Sequence, residues 1–207
     1  WNPGENMRYW DNVVLWEEGD EGLPKGENVV GRVRSVSFNM INTKESVPQE
    51  VHYLTYVESL TFFGNSNTAT KSITLEDDVC GLEYLKSLTV SAYGLSAISD
   101  NLVLLGDRLE TLDLSSNNFN SVPSIITKEN FPKLKIEWRY LTAADYSAGN
   151  TGTSSYREIT GTAGREYTIP EDMAGNYLSF MLYDTVSREY KMLSSPVRIA
   201  TAEERLL

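Results

Sequence analysis

Leu109–Pro123, LETLDLSSNNFNSVP, sets apolar residues at Leu109, Leu112 and Leu114, then Asn117, Phe119 and the pair Val122-Pro123. The same spacing recurs upstream. Leu85, Leu88 and Val90 repeat the triplet, with Leu95 and Ile98 standing where Phe119 and Val122 stand. Val57, Leu60 and Phe62 repeat it again, with Asn65 at the place of Asn117, and Val33, Val36 and Phe38 make a first copy followed by Val47-Pro48. The starts at 33, 57, 85 and 109 are separated by 24, 28 and 24 residues, and self-similarity at periods in this range marks stacked architectures.

A unit of this kind cannot bury its apolar face alone, so the copies are expected to stack as a solenoid of about four coils. Each triplet reads as a short parallel strand whose alternate side chains point inward while those between face out. Asparagine suits the turn after the strand, because its amide can bond backbone groups left unpaired there. Only Asn65 and Asn117 occupy that place; Ile41 and Tyr93 fill it elsewhere, so the stack is irregular. The connecting segments 47–56, 100–108 and 122–131 read as short helical or irregular pieces on a convex side.

With 207 residues, 41% apolar and 23% charged, the chain has the composition of an ordinary globular protein. A net charge of −11 argues against a nucleic-acid partner, which requires a basic footprint. No run of about 18 apolar residues offers a membrane span. The single cysteine, Cys80, precludes an intrachain disulfide and reads as a small buried apolar residue. The sequence begins at Trp1 rather than Met, which suggests a processed or trimmed product, and removal of a signal or anchor segment is the expectation.

Residues 1–31 read as a cap for the open end of the first coil. YWDNVVLW is a strand, the acidic stretch Glu17–Gly22 a turn, and the run from Glu27 into Phe38 a second strand. Glu17, Glu18, Asp20 and Glu21 invite comparison with a calcium loop, but the Asp-x-Asp spacing is missing, so the reading is a solvated loop. Residues 32–135 hold the coils. The 28-residue coil carries a polar insertion, Gly64–Ser72, expected to be an exposed loop. From Ile136, Trp138 and Tyr140 onward the period becomes that of a two-faced strand. Residues 136–207 then carry strand-like runs SYREIT, REYTIP, NYLSFMLYD, EYKML and PVRIA, broken by Gly, Pro and Asn, which argues for an antiparallel β module.

Catalysis finds little support. His52 has no nucleophile and orienting partner near it in sequence, and one histidine with one cysteine does not make a zinc site. Glu76, Asp77 and Asp78 are consecutive and do not face one way, and no phosphate loop or dinucleotide fingerprint is present. No catalytic residue, metal or cofactor is assigned. What remains is the outward face of the expected sheet, whose positions fall in columns: Ser35, Ser59, Ser87 and Thr111; Ser37, Thr61, Thr89 and Asp113; Asn39, Phe63, Ser91 and Ser115. These short hydroxyl residues either fit tightly packed strands and do nothing more, or form a flat hydrogen-bonding surface with Phe63 and Tyr93 as aromatic anchors. Asn39, Thr61, Phe63, Thr89, Ser91, Tyr93 and Asp113 are the candidate ligand-binding residues.

The triplets and LDLSSNNFNSVP are similar to leucine-rich-repeat proteins, and the segment from Trp10 through Val14 to Gly31-Arg32-Val33 resembles the capping hairpin that precedes many such arrays. Trp138, Tyr167, Asp172, Gly175 and Tyr177 look like the Trp strand and Y-T-x-x-x-x-D-x-G-x-Y segment of bacterial immunoglobulin-like modules, with one extra residue between Asp172 and Gly175. The resemblance implies an α/β-type leucine-rich-repeat solenoid (parallel strands, irregular or short-helical convex side), capped at 1–31 and covering 32–135. A small all-β immunoglobulin-like sandwich, complete or partial, would follow at 136–207. It also implies a secreted or lipid-anchored surface protein of gut anaerobic bacteria. Such a protein would bind a protein or glycan on a host or neighbouring cell without catalysis; the alternative is a structural spacer with no ligand of its own.

Overall fold

The computed structural model describes residues 6–26, 28–41, 45–65, 72–119, 122–159, 167–184, 189–193 and 196–206. Twelve strands lie among them: β1 (Val13–Leu15), β2 (Val33–Ile41), β3 (Ser59–Gly64), β4 (Ile73–Leu75), β5 (Ser87–Ser91), β6 (Leu95–Ile98), β7 (Thr111–Asp113), β8 (Lys135–Leu141), β9 (Arg157–Glu158), β10 (Tyr177–Asp184), β11 (Glu189–Leu193) and β12 (Val197–Arg198). The one described α-helix, α1, spans Ala143–Ser147.

The apolar triplets become the inner side of a five-stranded sheet ordered β1-β2-β3-β5-β7. β2, β3, β5 and β7 run parallel, so Val36, Leu60, Leu88 and Leu112 form one buried row. Phe62 and Val90 sit in the next row, and Phe38 stacks on Phe62 with ring centroids 4.9 Å apart. Burying each such side chain contributes roughly 1.5–3 kcal/mol. A second, two-stranded parallel ladder, β4-β6, closes the core from the far side with Ile73, Leu75, Leu95 and Ile98. Between the ladders the chain turns in short 3-10 helices at Gln49–Tyr53, Asp77–Val79 and Asp100–Leu105, which contribute Val51, Val79, Leu102 and Leu105 to the same core.

The expected fold class is corrected here. The described chain is mostly strand, its first sheet is mixed rather than parallel throughout, and α1 lies outside that sheet. β1 enters antiparallel to β2, pairing Val13 with Val36 and Val14 with Ser35, because the chain between them folds back with Asn28 in the left-handed region. The connecting segments are short helical or irregular as expected, the helical ones being of the 3-10 kind. Pro48 fixes an extended backbone before the first of them, and each 3-10 run ends within six residues. Downstream, no second sheet closes an immunoglobulin-like sandwich among the described residues. One antiparallel sheet, β11-β10-β8-β9 with β12 also on β10, packs through β10 and β11 against β7 instead. Leu182 of β10 and Trp138 of β8 join the core of the first sheet, so the apolar interior runs across the expected boundary at 135/136.

The opposite face of that second sheet has a small core of its own, Leu141, Tyr156 and Tyr177. Thr142 caps α1 by accepting a hydrogen bond from the Asp145 amide, and Tyr146 of α1 stacks on Tyr177 at 3.8 Å. Of the run 165–170 expected as a strand, the described part, 167–170, joins no strand, and a 3-10 turn follows near the C-terminus at Glu204–Leu206.

Candidate functional site

The outward face of the parallel ladder is set by register. Ser35, Ser59, Ser87 and Thr111 are partners across it, as are Ser37, Thr61, Thr89 and Asp113, and Asn39, Phe63 and Ser91. The first two columns are half-buried. Asn39 is exposed, and its Oδ1 accepts a hydrogen bond from Ser37 Oγ at 3.0 Å. Phe63, its neighbour on β3, is 42% exposed. Thr61 and Thr89 pair beside it, and Asp113 Oδ1 accepts from the Ser115 amide at 2.9 Å.

Two of the seven expected residues leave this surface. Tyr93 is only 3% exposed; its hydroxyl donates to the Ser46 carbonyl at 3.4 Å and its ring meets Phe62 edge-on. Burial pushes its phenol above the usual range. It is therefore no exposed anchor. The cause is local: Ala92 and Gly94 both adopt left-handed backbone and carry the chain inward after β5. Asn117 then holds that turn, its Oδ1 accepting from the amides of Tyr93, Gly94 and Leu95 at 2.9, 3.0 and 3.1 Å. Its Nδ2 donates to the carbonyls of Val90 and Leu114. Ser91, 4% exposed, is turned to structure as well, its hydroxyl bonding Ser115 O and lying 2.9 Å from Ser115 Oγ. The close approach of this turn explains Gly64 at the end of β3, where a Cβ would be driven into the Ala92 carbonyl oxygen.

The surviving surface is Asn39, Thr61, Phe63, Thr89 and Asp113. Most of the insertion expected at Gly64–Ser72 lies outside the described residues. In the acidic N-terminal stretch Asp20 Oδ2 accepts from the Glu17 amide at 2.8 Å and pairs with Arg34 at 3.4 Å, while Glu17 pairs with Arg8. His52 is exposed, with Nδ1 2.5 Å from the Gln49 carbonyl. Asp77 accepts hydrogen bonds from Ser99 Oγ and Asn101 Nδ2, which hold its carboxyl below the usual range.

Sequence reasoning overlooked a row of charges at the start of each strand. Arg34 Nε lies 2.8 Å from Glu58 Oε2, and Lys86 Nζ lies 2.6 Å from Glu58 Oε1. The Arg34 guanidinium also sits 4.5 Å over the ring of Trp16, whose buried indole donates to the Tyr56 carbonyl. Lys133 pairs with Glu110 at 3.4 Å. The signal was available: Arg34, Glu58, Lys86 and Glu110 each stand one residue after a triplet's first member, with alternating sign.

Comparison with protein-family models, with curated proteins and with solved structures finds no match to this chain. Nothing in those comparisons identifies it as a leucine-rich-repeat or cell-surface protein. No helix among the described residues is long and apolar enough to cross a membrane.

Proposed function

We propose that this chain is a non-catalytic binding module that engages a protein or glycan at a cell surface through the outward face of its parallel ladder. The observation that carries this reading is Phe63. An aromatic residue 42% exposed, paired with Asn39 and one outward position along from the Thr61–Thr89 pair, offers one apolar anchor among polar side chains. Interfaces draw most of their affinity from a few such anchors. An open cleft of about 430 Å³ elsewhere, lined by Tyr167, Ile169, Leu178 and the two arginines Arg198 and Arg205, lacks the carboxylate pair that glycoside hydrolysis would need.

A spacer role is the second reading, favoured by the burial of Ser91 and Tyr93, which leaves a smaller surface than the sequence promised. A screen against extracellular-matrix proteins, mucins and immobilised glycans separates the two, run beside Phe63→Ala. Because more than half of Phe63 is covered, its truncation should cost roughly 1–1.5 kcal/mol of stability, and binding is compared where both proteins stay folded. The binding reading expects a hit whose affinity falls at least tenfold in the variant. A hit that Phe63→Ala leaves unchanged would remove the site from this face, and an empty screen would leave the spacer.

A further inference from the structure

The parallel ladder poses a problem of order. Val36, Leu60, Leu88 and Leu112 fill one layer with nearly interchangeable side chains, and the column outside them is Ser, Ser, Ser and Thr. Apolar burial and hydroxyl packing would accept β7 beside β3 almost as readily as β5. They would equally accept a strand of a second copy. Repetitive chains misassemble in this way.

The charged row distinguishes these pairings. Backbone bonds set its members in succession: the Glu58 amide donates to the Arg34 carbonyl at 2.8 Å, Lys86 to Glu58 at 2.9 Å, and Glu110 to Lys86 at 2.8 Å. Asp20 extends the row at one end through Arg34, and Lys133 at the other through Glu110. Read across the sheet the signs alternate: Asp20, Arg34, Glu58, Lys86, Glu110, Lys133. Every native neighbour is therefore opposite in charge. Every neighbour reached by skipping one strand is alike, Arg34 against Lys86 and Glu58 against Glu110. Like charges directly across a ladder are destabilising, and repulsion against wrong partners is how closely similar surfaces are told apart.

We propose that this alternating row is an order code, enforcing the succession β2-β3-β5-β7 and rejecting pairings that skip a strand, within one chain or between copies. Stabilisation accounts for the middle of the row, where Glu58 is well covered between Arg34 and Lys86, but not for its end. The Lys133–Glu110 pair is nearly half exposed on both sides, and exposed pairs contribute little to stability. An exposed like pair repels no more strongly than an exposed opposite pair attracts, but discrimination is the difference between the two, and every skipped pairing replaces an attraction by a repulsion.

Engineered cysteines can read the order directly, in a Cys80→Ala background. Ser59→Cys with Ser87→Cys reports the native neighbours. Ser59→Cys with Thr111→Cys reports a skip that the native fold keeps about 9.6 Å apart, beyond disulfide reach. Ser35→Cys with Ser87→Cys reports the other skip. Each pair is refolded from denaturant under oxidising conditions, alone and with Glu110→Lys, and the cross-links are mapped by mass spectrometry. Glu110→Lys replaces repulsion across the 59–111 skip by attraction and sets three like charges in native succession. The expected result is a rise of several-fold in the 59–111 product, within or between chains, with the 35–87 product unchanged. High salt should shrink that difference. Equal 59–111 yields with and without Glu110→Lys would overturn the proposal, as would a parallel rise in both skips, which would signal mere loss of stability. Should Glu110→Lys fail to fold, Glu110→Gln removes the repulsion against Glu58, together with the native attractions to Lys86 and Lys133, without adding a like charge, and must still raise the 59–111 product while leaving the 35–87 product unchanged.

Discussion

Asn117 shows how much one side chain can organise. Its amide makes five hydrogen bonds to backbone groups, which tie β5, the turn after it, the start of β6 and its own turn together. Asn117→Ala should cost on the order of 3 kcal/mol, because several part-buried groups would lose partners at once. Asn117→Asp should cost at least as much, since a carboxylate would face the carbonyls of Val90 and Leu114 where the amide donates. Urea denaturation of both variants checks this, and a shift below 1 kcal/mol would place the turn's stability elsewhere. Cys80 is the opposite case, a residue without evident chemistry. Burial, with the charges of Asp77 and Asp78, pushes its thiol up to about 11. At pH 8 it should resist alkylation in the folded protein and react promptly in denaturant; rapid labelling of the folded chain would contradict that. The roles of Asn117 and Cys80 were legible in the sequence, because each follows from residue type and position in the repeat. The fate of Tyr93 was not. It depends on the left-handed backbone of Ala92 and Gly94, which spacing does not reveal.

At the level of strands, the triplet spacing predicted the rows of the ladder, since a period of two inside a repeated length fixes which residues become neighbours. It did not reveal β4 and β6, two strands of three and four residues that look like connecting chain. The connections were legible as short helical or irregular pieces, and they are 3-10 helices at Gln49–Tyr53 and Asp100–Leu105 and irregular chain at 122–131. The charged row makes a prediction about pH. Burial alone would raise the Glu58 carboxyl, but hydrogen bonds from Lys86 and Arg34 outweigh it and hold the group below its usual value. A depressed carboxyl contributes stability that is present above the unfolded value of about 4.3 and lost as pH falls through the folded one. Glu58→Gln should therefore lower the urea midpoint at pH 7 and lose less than the parent between pH 5 and pH 3. Parallel acid limbs for the two proteins would show that Glu58 contributes no such linkage.

For the molecule as a whole, the junction of the two sheets decides behaviour. The sequence places a change of period near Leu134 but is silent on which face of the later strands seeks which partner. Leu182 and Trp138 answer this by packing into the core that holds Leu112, Leu114 and Phe131. A shared interior couples the two halves, so thermal unfolding should follow one transition. Leu182→Ala should move that transition as a unit, at a cost of about 2–5 kcal/mol. Two calorimetric peaks, with only one shifted by the variant, would mean that the halves unfold separately. The charged row has a last consequence, for how long such a ladder can become. Copying one strand with its connecting segment would set two like charges side by side, whereas copying two adjacent strands would leave the alternation whole. Lengthening is thus subject to parity: chains grown from this unit should assemble cleanly when they gain strands in pairs and falter when they gain them singly.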